Sequence, residues 1–265
     1  MKRLGAMESR LLAYTQMRQL RVVRSGELTR PLRLSSRQEA KLLSRLAQAG
    51  LIARVWRGLY LVPPRLPLGG KWAPDEGLAL TTLMEARRGR YQICGPNAFN
   101  RYGFDEQVPN RVYAYNNALS GDRTVGPIAL TLIKVADTRL GDTEQFQTSD
   151  GLTVLYSSRV RTVIDAVYDW SRFNGLPRAY GWIRAELAAK RIRAADLVRV
   201  ALRYGDIGTI RRLAAFLDLE RAPPRLLSQM ESAITPTTSP IPLIPTRPKR
   251  GTVDRRWGVV WNDRP

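Results

Sequence analysis

The chain has 265 residues, of which 44% are hydrophobic, so it can bury the core of one large domain or of two ordinary ones. Its net charge of +20, from 43 Lys and Arg against 23 Asp and Glu, favours a polyanionic partner such as nucleic acid. It contains no histidine and one cysteine, Cys94, which excludes Cys/His zinc sites, Ser-His-Asp triads, Cys-His pairs and disulfides. We therefore expect a protein that is not an enzyme and that uses no metal or cofactor.

Three helices followed by a β-hairpin are predicted near the N-terminus. The apolar spacing indicates an amphipathic helix over 8–20 and a short helix or turn over 25–32. Overlapping capping-box patterns predict the start of a third helix over 35–48. Two β-prone runs follow at 51–55 and 58–62. This order is typical of a winged helix-turn-helix.

The middle and the C-terminal part predict a mixture of strands and helices. Strands are predicted over 91–94, 111–115, 127–135 and 152–157. Helices are predicted over 74–86, 95–102, 159–170, 177–190, 194–204, 207–217 and 224–234. Residues 235–248 contain five prolines and indicate an extended arm rather than a packed element, although residues 257–261 could pack at its end.

These elements predict an α+β fold in three parts. Residues 1–65 would form the winged helix-turn-helix. Residues 70–234 would form a mixed domain with a small, mostly antiparallel sheet and a C-terminal helical part. Residues 235–265 would form the proline-rich C-terminal arm.

The positive charge is concentrated in two regions. Residues 1–65 carry 14 basic and 3 acidic side chains, residues 66–158 carry 9 and 10, and residues 159–235 carry 14 and 8. No stretch approaches the roughly 18 apolar residues of a membrane span, and the N-terminus lacks the apolar core of a signal peptide. We therefore expect a cytoplasmic protein without a membrane partner.

One face of the helix predicted over 35–48 carries side chains suited to reading DNA. Arg and Lys reach guanine N7 and O6, Gln pairs with adenine, and Ser contacts bases or phosphates. The candidate residues are Ser36, Arg37, Gln38, Lys41, Ser44 and Arg45. A polar stripe is also what any solvated helix face shows, but the local charge and the following hairpin favour binding to DNA.

Two further groups of arginines are candidates for contacts with the DNA backbone. Arg54 and Arg57 on the hairpin would hold phosphates or enter a minor groove, whereas Trp56 is equally well explained as a packing residue. In the second basic region the candidates are Arg191, Arg193, Arg211 and Arg212. Charges at helix ends and on the surface explain these four arginines equally well.

Three sequence segments, taken in this order, resemble the AbiEi family. They are LAQAGLIARVWRGLY at 46–60, YQICGPNAFN at 91–100 and YSSRVRTVID at 156–165. The family is the antitoxin and transcriptional-repressor half of the type IV abortive-infection toxin-antitoxin system, which acts in phage defence. At one position this sequence departs from the family, because Tyr102 precedes Gly103 where relatives often have a His-Gly pair.

The resemblance implies a repressor that binds operator repeats in double-stranded DNA upstream of its own operon. It also implies a nucleotidyltransferase-like toxin as functional partner, with direct binding left open, and a monomer or weak dimer that cooperates on DNA. Two alternatives compete with this interpretation. The first is an RNA- or tRNA-binding module in which Trp56 and Tyr60 stack on bases. The second is a metal-dependent nuclease built from scattered carboxylates, such as Asp165 and Asp169.

Overall fold

The computed structural model describes residues 4–65, 71–148 and 151–263 and shows a mixed α+β protein whose sheets contain both antiparallel and parallel strand pairs. Its contacts divide the chain into two compact units. The first unit comprises Met1–Tyr91, Asn110–Asp137 and Gln145–Val154, and the second comprises Gln92–Pro109, Thr138–Glu144 and Leu155–Pro265. The domain boundary predicted between 65 and 70 lies at residues 66–70, outside the described residues. None of the helices in the described part of the chain is long and apolar enough to cross a bilayer.

The N-terminal elements follow the predicted order and include one strand that was not predicted. They are α1 (Ala6–Met17), β1 (Val22–Arg24), α2 (Thr29–Leu32), α3 (Ser36–Gln48), β2 (Ala53–Trp56) and β3 (Leu59–Leu61). The strands form an antiparallel sheet of order β1-β3-β2, with Val23 opposite Tyr60. The added strand, β1, has three residues and was too short to give an alternating pattern.

The core beneath this sheet comes from the apolar faces of α1 and α3. Leu11 and Leu12 of α1 are buried together with Leu42, Leu43 and Leu46 of α3. Because the leucines of α3 recur at helical spacing, they form one stripe, and its burial leaves the opposite face of α3 toward solvent. The packing of α3 therefore determines which of its side chains reach solvent.

The middle of the chain continues with short strands and two helices. The elements are α4 (Glu76–Ala86), β4 (Tyr91–Ile93), α5 (Pro96–Arg101), β5 (Val112–Asn116), β6 (Gly121–Val125), β7 (Ile128–Lys134), β8 (Thr143–Gln147) and β9 (Thr153–Ser157). In the first unit, β7 lies between β5, to which it is parallel, and β6, to which it is antiparallel. In the second unit, Ile93 of β4 is in parallel register with Tyr156 of β9.

The prediction of a mostly antiparallel arrangement here is therefore right for the β6–β7 hairpin and wrong for β5–β7 and β4–β9. The sequence of β6, GDRTV, is polar and gives no strand signal. The sequence of β7, IALTLIK, is largely apolar and therefore suits the inner position between two strands. The chain thus skips one position when it passes from β5 to β6.

From residue 159 onward, the second unit has helices close to the predicted positions and one short helix, over 170–173, that was not predicted. They are α6 (Arg159–Tyr168), α7 (Trp170–Phe173), α8 (Arg178–Ala188), α9 (Ala194–Tyr204), α10 (Ile207–Leu219) and α11 (Pro224–Ser232). Most apolar positions of α6 and α10 are buried, as at Val163, Ile164 and Leu213, whereas Ile207 and Leu219 at the two ends of α10 are about half exposed. The helical part of the predicted fold is thus present.

The C-terminal segment is not the extended arm that its prolines predicted. It forms β10 (Ile241–Pro242), β11 (Thr252–Asp254) and β12 (Val259–Trp261), and β10 is parallel to β12. Leu243, Ile244 and Trp257 are completely buried. Pro242 fits because the amides on either side of it, at Ile241 and Leu243, donate to Gly258 and Val260. The segment is a packed part of the second unit.

Candidate nucleic-acid interface

The polar face of α3 is exposed along its whole length. All six candidate residues on this helix are open to solvent: Ser36, Arg37, Gln38, Lys41, Ser44 and Arg45. Ala40, on the same helix, is exposed as well. Among the described residues, neither Arg37 nor Lys41 forms an ion pair. These two cations are therefore free to meet an external anion.

The N-terminus of α3 carries the predicted capping box. The Ser35 hydroxyl accepts a hydrogen bond from the Gln38 amide at 3.3 Å, and Oε1 of Gln38 accepts one from the Ser35 amide at 2.8 Å. Of the two overlapping patterns, the one built on Gln38 is used at this helix start. The helix thus begins in a defined orientation, and Arg37 lies in its first turn.

Glu39 has a different role, which the sequence interpretation missed. Its carboxylate is 1% exposed and accepts hydrogen bonds from the amides of Gly26 at 2.6 Å and Leu28 at 2.8 Å. Those amides belong to the turn that leads into α2, so this one carboxylate ties α2 to α3. An acidic residue on the apolar side of an amphipathic helix was the signal that could have revealed the contact.

The hairpin presents both of its predicted arginines to solvent. Its turn is formed by Arg57 and Gly58, and Gly58 has φ of +73°, a conformation that glycine adopts without strain. Arg54 and Arg57 are exposed, whereas Trp56 is the last residue of β2 rather than part of the turn. The guanidinium carbons of Arg87 and Arg123 lie over the Trp56 ring, at 5.0 and 5.2 Å from its centroid.

Within the described part of the chain, Arg45 is the α3 candidate that forms an ion pair. Its Nε lies 3.7 Å from Oε1 of Glu8, and its side chain is 63% exposed. Such an exposed pair contributes little, so it does not hold Arg45 away from a stronger anion. Beside it, a shallow groove of about 250 Å³ is lined by Met7, Gln38 and Lys41.

In the second unit, Arg191 and Arg193 are exposed but already paired with carboxylates. Arg191 donates to Oε1 of Glu186 through both Nε and Nη2, at 2.9 and 2.7 Å, which raises the pKa of Arg191. Arg193 donates to both carboxylate oxygens of Asp196, at 2.7 and 3.1 Å, and this contact lowers the pKa of Asp196. Neither arginine offers a free charge to DNA without losing its partner.

Arg211 and Arg212 are buried, and the expectation that they contact DNA is wrong for this structure. Each is 9% exposed. Arg211 donates to the carbonyl oxygen of Thr235 at 2.8 Å, and Arg212 donates to that of Pro242 at 3.1 Å. Burial lowers the pKa of Arg212. Both side chains hold the C-terminal segment, because their donors satisfy carbonyls there.

The third of the resembling segments forms a buried ionic network in the second unit. Arg161 and Asp165 are both completely buried, with Nε and Oδ1 2.8 Å apart. Arg139 also donates to Oδ1 of Asp165, at 2.9 Å. Arg161 further donates to the carbonyl oxygens of Arg139 and Gly141. The segment therefore anchors the chain around 139–141.

Tyr102, at the position where the sequence departs from the family, belongs to a second polar cluster of the second unit. Its hydroxyl lies 3.0 Å from Oε2 of Glu144 and 2.9 Å from the carbonyl oxygen of Ser157. Burial and the Glu144 carboxylate raise the pKa of Tyr102. The guanidinium carbon of Arg159 lies 4.9 Å from the centroid of the Tyr102 ring. The tyrosine thus joins α5 to the end of β9.

Comparisons with known proteins point to the fold alone. The sequence matches no protein-family model and no curated protein. Among solved structures, the chain is similar to the crystal structure of the RV2827C protein from Mycobacterium tuberculosis, with a TM-score of 0.61 and 14% sequence identity. The similarity covers 97% of this chain and 92% of that one. Because the identity is only 14%, this similarity shows that the two chains share a fold.

Proposed function

We propose that this protein is a sequence-specific DNA-binding regulator whose residues 6–61 form a winged helix-turn-helix. In this proposal α3 is the recognition helix, and the β2–β3 hairpin is the wing. The observation that carries it is the fully exposed polar face of α3, on which Arg37 and Lys41 have no ion-pair partner among the described residues. A protein gains nothing in stability from such unpaired cations, whereas a DNA-binding surface requires them.

The side chains on α3 suit contacts with both bases and phosphates. Arg37, Gln38, Lys41 and Arg45 are long enough to reach base edges in a major groove, which is about 12 Å wide and admits a helix. Ser36 and Ser44 would contact bases or phosphates. Arg54 and Arg57 of the hairpin would hold the backbone and position the protein without reading the sequence.

We further propose that the protein represses its own operon and acts as the antitoxin of a type IV toxin-antitoxin system, in the cytoplasm. The support is the AbiEi-like order of three sequence segments. A nucleotidyltransferase-like toxin would be its functional partner. Repeated operator sites would let a monomer or weak dimer bind with added avidity.

The RNA-binding alternative is not favoured by the aromatic side chains on which it depends. Tyr60 is 7% exposed and so has no open face for base stacking, and the Trp56 ring already packs against two guanidinium groups. The nuclease alternative loses one of its carboxylates, because Asp165 is buried and bonded to Arg139 and Arg161.

The proposed function is tested by footprinting and affinity measurements on the DNA upstream of the protein's own gene. We expect a protected site, and we expect Arg37→Ala or Lys41→Ala to weaken binding there by about 1–3 kcal/mol, more than on random duplex. Arg225→Ala is the matched control, since Arg225 is exposed and forms no ion pair within the described ranges. Equal losses on both duplexes would contradict base reading, and the absence of any binding would refute the proposal.

A further inference from the structure

A second basic surface in the first unit lies beside the hairpin turn. It is a groove of about 510 Å³, which we call the hairpin groove. The lining residues that matter for its charge and shape are Arg24, Trp56, Arg57, Glu85 and Arg88. They come from the end of β1, the hairpin and the C-terminal end of α4. Only Arg57 was among the residues predicted to contact DNA.

The charges of the hairpin groove are unbalanced. Within the part of the chain that the structure describes, the side chains of Arg24, Arg57 and Arg88 form no ion pair, and Glu85 is the one carboxylate of the lining. Arg87 and Arg123 add two more guanidinium groups above the Trp56 ring. Guanidinium groups gathered in one place repel one another, and an anion bound between them relieves this repulsion. Guanidinium groups bind phosphate oxygens in bidentate geometry.

Arg88 occupies a backbone position that normally favours glycine. Its φ is +51°, in the left-handed region just after α4, and its amide donates to the Glu85 carbonyl. An arginine pays a conformational cost in this region that glycine does not. The backbone conformation at this position thus favours glycine, yet the position carries a charged arginine side chain.

We propose that the hairpin groove binds one sugar-phosphate strand of the DNA, so that contacts extend from the wing to the end of α4. The inference rests on the proposed DNA-binding function and adds a second phosphate-binding surface to it. Arg57 belongs to both the hairpin turn and the groove, so a strand held at the turn continues into the groove. These contacts carry charge but no base readout, and they strengthen binding to any duplex.

The test is Arg88→Gly, measured on a fluorescent random-sequence duplex of about 30 base pairs. We expect a roughly five- to tenfold loss of affinity near 0.1 M salt and a salt slope lower by about 1. The Tm stays the same or rises, because glycine suits the positive φ. Arg88→Lys, which keeps the charge, retains most of the affinity.

Arg221→Gly is the matched control. Arg221 follows α10 in the second unit, has φ of +58°, is exposed, and donates its amide to the Asp218 carbonyl as Arg88 does to Glu85. Its replacement removes the same charge at the same kind of helix end. We expect the duplex affinity to change by less than about twofold.

Three outcomes would overturn the inference, and each can be distinguished from the others. If Arg88→Gly leaves affinity and salt slope unchanged while Arg37→Ala weakens binding, the groove is not a DNA contact although the proposed function stands. If wild-type protein binds no duplex, the proposed function fails and the groove proposal fails with it. If millimolar inorganic phosphate raises the Tm of wild type but not of Arg88→Gly, and both bind DNA equally, the groove holds a small anion instead.

Discussion

The arginines of the two units differ in what neutralises them. In the helical region of the second unit, most of the arginines are paired with carboxylates: Arg159–Glu186, Arg161–Asp165, Arg172–Asp169, Arg178–Asp105, Arg184–Glu220, Arg191–Glu186, Arg193–Asp196 and Arg199–Asp142. In the first unit ion pairs occur too, as between Arg111 and Asp122. Many of its cations, however, form no ion pair within the described ranges: Arg24, Arg37, Lys41, Arg54, Arg57, Arg87 and Arg88.

This difference shows that a local excess of positive charge does not by itself locate a binding surface. Both regions are basic by count, with 14 basic side chains in residues 1–65 and 14 in residues 159–235. Their carboxylates differ in number, and those of the second unit lie where they can accept from guanidinium groups. A phosphate competes well for a free arginine and poorly for one already held in bidentate geometry.

The largest expected effect tests whether the paired charges of the second unit are structural. We expect Asp165→Asn to lower the free energy of unfolding by about 3–5 kcal/mol, because it leaves the buried Arg161 and the mostly buried Arg139 without their counter-charge. Urea denaturation measures the loss. Asp196→Asn, which breaks an exposed pair with Arg193, is the control and should cost no more than about 1 kcal/mol. A loss for Asp165→Asn as small as that of the control would break the comparison.

A smaller effect tests how α3 is held in place within the first unit. We expect Glu39→Ala to destabilise the protein by about 1–3 kcal/mol, since the amides of Gly26 and Leu28 lose their acceptor. The change removes a negative charge without touching the exposed face. Thermal unfolding measures the loss, and Glu27→Ala is a control that removes an exposed carboxylate bonded to the Arg24 amide. Equal stability of the two variants would mean that α2 and α3 are held by apolar packing alone.

The smallest expected effect is the change in DNA affinity when a paired arginine of the second unit is removed. Arg193→Ala removes a charge that Asp196 already holds, so we expect the affinity for duplex DNA to change by less than about twofold, with the salt slope unchanged. Lys41→Ala on α3 removes a free charge and should lower both the affinity for duplex DNA and the salt slope. Fluorescence anisotropy at several salt concentrations measures the two variants together. Equal losses of affinity for the two variants would show that an arginine paired with a carboxylate binds DNA phosphate as well as a free cation does.

Local patterns predicted the helices well because their signals are contained within one segment. The capping box at Ser35 and Gln38, the leucine stripe of α3 and the bounds of α9 were all visible as short-range spacing. Strands β1, β6 and β8 were missed, since each is short and lacks a clear apolar alternation. Their formation depends on neighbouring strands that are distant in sequence.

The candidate site divides in the same way. The exposure of Arg37, Lys41 and Arg57 follows from helix period and hairpin order, and the structure places all three on the surface. The burial of Arg211 and Arg212 could not be read from α10 itself. It depends on the C-terminal segment, whose prolines indicated an unpacked arm but whose apolar residues 257–261 supply a buried strand.

The amino-acid sequence alone determined where most of the helices begin, which face of α3 is polar, and the absence of histidine-based chemistry, because each is a property of neighbouring residues or of composition. Only the tertiary structure decided which arginines carry free charge, because a carboxylate or carbonyl that neutralises a guanidinium group lies up to 73 residues away, as Asp105 does from Arg178. It also decided that Arg24, Arg57 and Arg88 line one groove, since β1 pairs with β3 of the hairpin and β2 packs against α4.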